Sequence, residues 1–461
     1  MAFALLFSIF IGIFSYREQD VSGATTVGTI KVTSGGSRNV KGANYLLDGD
    51  IEVTGDGSTL VIENSTITLS QDVGLDGVIG GGDDHIYHIF VKDGGTMMIK
   101  NSTFTTETGQ LHPYFAINIT IEGESTSGDP SLFYMYNSVL EGPGNLTVTD
   151  SAKLEIRDSV TKKLESTDNL AYDIDGDGET DDDEDYNDDG IILTVESGAS
   201  SLIIDSELKD SFSLESIYDN DTAAGNIIVS GTDSNLTAIN SFLDIDFETN
   251  SSRGTHNMLK VTGGAQAHLI GVTMNDSAQS AYPAILVDGS SKAVYYRWIA
   301  AHVTDSLGID ATGLDLDIMK VEGSSNKAIN SDYLDGMEDV LDYMGKTELT
   351  WARTDIDGWA ILPVITDVLT EDSMPNSDAT PDYLVKASLG GESINKSAKF
   401  KSYPNIAPMG EESNLIRSIK SGSDVDSRIV SQMGGSFTFR YQVVDPDSTS
   451  FFSDLSVDLT V

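Results

Sequence analysis

The amino-acid sequence predicts an all-β chain in which residues 28–292 wind into a parallel β-solenoid, with further strand-rich modules behind it. Three observations carry that expectation. First, a short pattern recurs: an apolar strand, Asn or Asp followed by Ser, and a further apolar residue. It reads VIENSTI at 61–67, MIKNSTF at 98–104, YMYNSVL at 134–140, EIRDSVT at 155–161, IIDSELK at 203–209 and AINSFLD at 238–244, with a degenerate copy, LIGVTMN, at 269–275. Second, the shortest interval, from Ser138 to Ser159, has the length of one solenoid coil, and the longer intervals look like one coil plus an insertion. Third, Asn-Gly and similar hairpin signals are scarce, which argues against an array of antiparallel sandwiches. Short strands such as Ile51-Glu52-Val53, Ile89-Phe90-Val91, Leu146-Thr147-Val148, Ile227-Ile228-Val229 and Leu259-Lys260-Val261 precede the copies. Each coil buries a face only against its neighbours, so a stack is required. Asn and Asp at the bends can hydrogen-bond local backbone and stack as a ladder along the axis.

Taken from the start, residues 1–20 contain an apolar run, Ala2 to Phe14, with the length of a signal-peptide core, followed by polar Tyr16-Arg17-Glu18-Gln19-Asp20. A basic stretch before it and a clean cleavage site are missing, yet export to the cell surface or extracellular space is the expected destination. Nine N-x-[ST] sequons, at Asn64, Asn101, Asn118, Asn145, Asn220, Asn235, Asn250, Asn275 and Asn395, point the same way. At 461 residues the chain exceeds one ordinary domain, and its 39% apolar content is enough to build cores. The net charge of −46 excludes nucleic acid and anionic lipid as partners and suits salty or calcium-rich surroundings. With no Cys, disulfides and thiolate metal sites are excluded as well.

The solenoid region opens with Tyr45-Leu46-Leu47-Asp48-Gly49-Asp50-Ile51-Glu52-Val53, followed by Leu60-Val61-Ile62-Glu63-Asn64. Over residues 28–292 this pattern resembles secreted right-handed parallel β-helix proteins, particularly the surface-exposed kind of archaea and bacteria. The resemblance implies architecture and is nearly silent on chemistry.

Between two coils lies an insertion, residues 168–190, whose core reads DIDGDGETDDDEDYNDDG. It fits the calcium-loop template D-x-[DN]-x-[DN]-G-x5-E: Asp173, Asp175 and Asp177 at alternate positions, Gly178 at the turn, and Glu184 closing the loop. Glu179 and Asp181 add oxygens within it, and Asp185, Asn187 and Asp189 begin a second copy. A hard cation needs such a shell of oxygens, and without one the adjacent charges repel. An acidic linker is the plain alternative, but it has no need of strict alternation or of Gly at the turn. Because Ile191-Ile192-Leu193-Thr194-Val195 follows directly as a strand, flanking helices are missing. The loop therefore resembles the helix-free calcium repeats of the thrombospondin type 3 kind, which implies a structural clamp with calcium as the bound ion.

After Lys292 the period breaks. A strand running into a turn is expected over Trp298–Gly308 and a strand over 314–321, then a Thr354-Asp355-Ile356-Asp357-Gly358 turn into Trp359-Ala360-Ile361-Leu362-Pro363, then Pro381–Ala387. That order resembles the carboxypeptidase-regulatory-like, transthyretin-type β-sandwich over 293–403. An acidic insertion at 322–348 departs from it, with Tyr333, Leu334, Met337, Val340 and Leu341 at helical spacing. Residues 404–461 read as a linker and the start of a further sandwich, expected to continue beyond Val461, since Leu455 to Val461 alternates to the last residue.

Catalytic signatures are sparse. Parallel β-helices include polysaccharide lyases and glycoside hydrolases, which implies paired carboxylates or a calcium site beside a Lys or Arg base. The candidates for that base are Lys100 and Arg157, each just before an Asn/Asp-Ser turn, where a solvated coil edge explains them equally. Asp83, Asp84, His85 and His88 could ligate a transition metal or form an ordinary surface loop. The expected function is non-catalytic: a calcium-stabilised exported protein for adhesion, for binding an extracellular glycan or surface ligand, or for cell-envelope structure, with self-association or envelope attachment as further partners. The alternative is a calcium-dependent polysaccharide lyase or glycoside hydrolase.

Overall fold

The computed structural model describes residues 24–70, 86–106, 116–142, 144–162, 190–209, 225–243, 257–274, 285–305, 311–322, 324–329, 338–370, 382–389, 392–398, 426–431, 436–443 and 453–460. Within them the chain is all-β and begins as a parallel β-helix. Successive strands pass in rotation to three sheets, two of them nine-stranded, so that every third strand pairs in parallel. The first sheet runs from Thr25–Val27 to Thr273–Met274, the second from Ile30–Thr33 to Ile285–Val287, and the third from Ser37–Lys41 to Lys292–Asp305 and beyond.

Period-two alternation decides which residues face inwards. In the second sheet, Val32, Val53, Val91, Ile121, Val148, Val195, Val229, Val261 and Val287 form one buried column. In the third, Ile62, Ile99, Met135, Ile156 and Ile203 do the same. Like side chains stack on like in register, so one coil's core is continuous with the next.

The recurring Asn/Asp-Ser pair is the bend from the third sheet into the first. Asn64, Asn101, Asn137, Asp158, Asp205 and Asn240 all take left-handed backbone, φ 45–50°. Asn and Asp tolerate that region better than other side chains bearing a Cβ. The Ser that follows is buried, and its hydroxyl accepts the N–H of the corresponding Ser one coil earlier. Ser102 accepts from Ser65, Ser138 from Ser102, Ser159 from Ser138 and Ser206 from Ser159, each at 3.1 Å. The expected ladder of side-chain amides is also present: Asn137 Nδ2 donates to Asn101 Oδ1 at 2.9 Å, and Asn101 Nδ2 to Asn64 Oδ1 at 3.2 Å.

One corner absorbs the insertions. The segments 71–85, 107–115, 163–189, 210–224, 244–256 and 275–284 each connect a first-sheet strand to the next second-sheet strand. The other two corners keep short turns, apart from 123–131 between Ala116–Glu122 and Leu132–Tyr136.

The solenoid's third sheet does not stop with the coils. Strand Lys292–Asp305 pairs in parallel with Gln266–Ile270 through its first residues and antiparallel with Trp359–Leu369 along Ala293 to His302. Its last residues pair with Asp426–Ser431, from which Ser436–Val443 and Ser453–Thr460 continue the sheet. A separate antiparallel sheet, ordered Ser325–Ile329, Leu316–Glu322, Asp382–Leu389, Glu392–Ala398, shares one apolar cluster with it. Trp298, Ile318, Leu362, Tyr383 and Val385 lie in that cluster together with Leu202, Ile204, Ile239 and Ile270 from the outer face of the coils. The Thr354–Gly358 turn forms as its residues suggest. Asp355 accepts the N–H groups of Asp357 and Trp359, both at 2.9 Å, and Gly358 supplies φ 75°. The helical spacing of the acidic insertion gives helix α1, Glu338–Met344, which buries Val340 and Leu341. Tyr333, Leu334 and Met337, like the leader 1–20, lie outside the described residues. No helix among the described residues is long and apolar enough to cross a membrane.

Candidate functional site

The outer face of the third sheet changes character along the axis. Register places Lys41, Glu63, Lys100, Tyr136, Arg157, Ile204, Ile239, Ile270 and Tyr296 in one column. Beside it run Val61, Met98, Tyr134, Glu155, Leu202, Thr237, His268 and Val294. From Leu202 and Ile204 onwards the face lies buried beneath the C-terminal module. Up to Glu155 and Arg157 it remains accessible, and the residues at that edge form a ledge.

On the ledge the rings of Tyr134 and Tyr136 stack, centroids 5.8 Å apart and inclined by 28°. Lys100 Nζ stands 5.8 Å from the Tyr136 ring centre on one side. On the other, Tyr136 donates its hydroxyl to Glu155 Oε1 at 3.0 Å, and Arg157 Nε donates to the same oxygen. Burial, and then the Glu155 carboxylate, raise both phenols above their usual range, so they stay protonated donors. The two basic residues picked out in the sequence are thus brought to either side of one aromatic ring.

Helix α1 closes the ledge. Tyr343 donates its hydroxyl to Asp205 Oδ1 at 3.2 Å and accepts from Asn240 Nδ2 at 2.8 Å. Trp298 Nε1 in turn donates to Asn240 Oδ1 at 2.8 Å. This chain pins the helix to the Asn/Asp column. Burial raises the Asp205 carboxyl, with Asp158 adding to it and the Tyr343 hydrogen bond opposing. Asp339, on the first turn, is also raised, by desolvation first and then by Glu155, Asp342 and Glu338. The ledge therefore offers flat aromatic faces, two cations and a rim of carboxylates within a few coils.

The proposed calcium ligands Asp173, Asp175, Asp177, Glu179, Asp181, Glu184, Asp185, Asn187 and Asp189 lie outside the described residues. What is described is the frame: the chain leaves after Val160–Lys162 and returns through Gly190, whose carbonyl accepts the Gly144 N–H at 3.3 Å, into Ile191–Glu196. Asp83, Asp84 and His85 also lie outside; His88 is on the second sheet, stacked on Phe90 at 5.2 Å. Among the described residues no group of three or more His, Asp or Glu is arranged to hold a metal.

Tyr134 and Tyr136 were not singled out by sequence reasoning, although the signal exists. Aligning the recurring copies on their Asn or Asp shows Glu63, Lys100, Tyr136 and Arg157 just before it, then Ile204 and Ile239, with Ile270 before Gly271 in the degenerate copy. The switch marks where open face becomes covered face. No protein-family model matches the chain, and no curated protein or solved structure matches it.

Proposed function

We propose that this is an exported, calcium-stabilised surface protein that binds an extracellular glycan on the Tyr134–Tyr136 ledge without cleaving it. The observation that carries the reading is the ledge: aromatic rings half-exposed on a rigid sheet, flanked by Lys100, Arg157 and Glu155. A sugar ring has an apolar C–H face for an aromatic ring and equatorial hydroxyls for charged donors and acceptors beside it. Because the platform stands on stacked strands, little ordering entropy is lost on binding. Export and a cell-surface location are supported by the apolar leader, the sequons and the charge of −46. Calcium is supported by the Asp173–Glu184 pattern, which in this reading clamps a loop at the corner that takes the insertions. The likeness to surface-exposed β-helix proteins and to regulatory-like sandwiches agrees with adhesion or envelope attachment.

The second reading, a calcium-dependent lyase or hydrolase, is favoured by one feature: the raised Asp339 carboxyl beside Glu155, as an acid–base pair requires. One experiment separates the two. The full chain is incubated with acidic and neutral polysaccharides, with calcium and with chelator, and both retention and product formation are followed. Retention without turnover, lost in Tyr136→Ala, supports binding. Calcium-dependent products overturn it, and retention unchanged in Tyr136→Ala removes the ledge as the site.

A further inference from the structure

We infer that Asn64 is an acceptor for an N-linked glycan, and that the stacking of the coils singles it out from the neighbouring sequons. The inference rests on the export reading above. Four described sequons occur in stacked pairs. Asn64 and Asn101 occupy adjacent positions of the bend ladder, while Asn118 and Asn145 are register partners in the second sheet. In both pairs the amide nitrogen of the later residue is committed: Asn101 Nδ2 to Asn64 at 3.2 Å, and Asn145 Nδ2 to Asn118 at 3.3 Å.

The ladder has a direction, each amide donating towards the preceding coil. On the coil before Asn64 the equivalent position is Gly42, whose N–H bonds to Glu63 O at 2.9 Å. Glycine presents no side-chain acceptor and no bulk, so the ladder stops there: Asn64 is exposed, and its amide nitrogen is without a partner among the described residues. Asn64 and Thr66, the third residue of its sequon, are both exposed. Asn118 differs: it is half-buried, with His88 beside it on the preceding coil. At Asn235 the sequon threonine, Thr237, is only 6% exposed.

The donor class is a lipid-linked glycosyl diphosphate. A bond forms between Asn64 Nδ2 and the anomeric carbon, that carbon's bond to the phosphate oxygen breaks, the diphosphate leaves with the electron pair, and the amide gives one proton to base. The sugar is then carried on an exposed bend, clear of the apolar interior.

The folded full chain, incubated with an oligosaccharyltransferase and a lipid-linked oligosaccharide, is digested and its glycopeptides are weighed. Peptides spanning the same sequons serve as unfolded substrates. The expected result is a glycan mass on Asn64 in the folded chain, none on Asn101, Asn118, Asn145 or Asn235, and loss of the Asn64 mass in Thr66→Ala. Peptides should accept at all five positions. An Asn64 left bare in the folded chain overturns the inference, and so does equal occupancy of Asn101 or Asn145. Fractionation of the producing cells is read separately, so failure of export is distinguishable from failure of the acceptor geometry.

Discussion

His268 should make the solenoid lose stability as pH falls through the histidine range. Its ring lies on the outer face of the third sheet under the C-terminal module, with Nδ1 3.1 Å from the Tyr296 hydroxyl. Burial, and then the charge of Lys292, lower its pKa from 6.5 to about 4. The sign follows from proton counting. Between those values the unfolded chain binds the proton and the folded chain does not, so stability rises with pH in that window. The contribution is intact above 6.5, erodes as pH falls, and is fully lost below about 4. The gap converts to about 3 kcal/mol, of which about 2 kcal/mol is lost between pH 7 and 4.5. The many carboxylates of a chain with charge −46 begin to titrate in the same range, so a single curve is uninformative. The assay is therefore a difference: urea unfolding of wild type and His268→Gln, followed by the fluorescence of buried Trp298, at pH 7, 5.5 and 4.5. Gln keeps a hydrogen-bonding group near Tyr296 but cannot be protonated. The wild type should lose about 2 kcal/mol more than the variant over that span. Parallel curves would refute the argument that burial keeps the imidazole neutral.

Four other outcomes follow from the same geometry. Ser159→Ala leaves the buried Ser138 N–H without its acceptor and should cost about 1–3 kcal/mol in denaturant unfolding, whereas Thr59→Ala on the outer face should be nearly silent. Asp205→Asn should stabilise the chain near neutral pH, because it removes a carboxylate whose charge burial opposes, and the gain should vanish as pH falls through the raised pKa; a variant no more stable at pH 7 sinks that reasoning. Calcium should raise the melting temperature of the wild type relative to chelator and leave the Asp175→Ala/Asp177→Ala/Glu184→Ala variant unmoved. Tyr136→Ala should weaken retention on the bound glycan about tenfold, roughly 1.4 kcal/mol, at unchanged melting temperature.

The coils were legible because their rule is local. A bend needs left-handed backbone, which selects Asn or Asp at positions such as Asn101 and Asp158, and the buried hydroxyl beside it selects Ser. Both residues recur at the six bends from Asn64 to Asn240, so the period survives insertions of unequal length. The ledge was harder to see because it is a property of register. Lys100, Tyr136 and Arg157 are adjacent in space but separated in sequence by coils of unequal length, and only alignment on the bends restores the column. Of the C-terminal module, the strands near Trp298, Ile318, Trp359 and Tyr383 and the Asp355 turn were legible, whereas Ser325–Ile329, inside the acidic insertion, and Glu392–Ala398 were not, and neither was the module's attachment. The sequence puts the end of the repeat at Lys292 and a new strand at Trp298, while one continuous strand, Lys292–Asp305, serves two pairings at once, parallel to the coils and antiparallel to Trp359–Leu369. Alternation cannot distinguish a strand that closes one domain from a strand shared by two.

The same sharing governs how binding and stability are divided. The insertions, with the proposed calcium loop among them, leave from the corner between the first and second sheets, whereas the ledge lies on the third sheet. The ledge is anchored instead through Asn240, which holds both Trp298 of the shared strand and Tyr343 of helix α1. Loosening the loop corner therefore lowers stability without reshaping Tyr134 and Tyr136. Removing the Asn240 side chain releases the helix that closes the ledge. Asn240→Ala should then alter glycan retention more than calcium withdrawal does, at comparable loss of melting temperature. Equal effects of the two on retention would mean that corner and ledge unfold as one cooperative unit, and the separation argued from the sheet topology would fail.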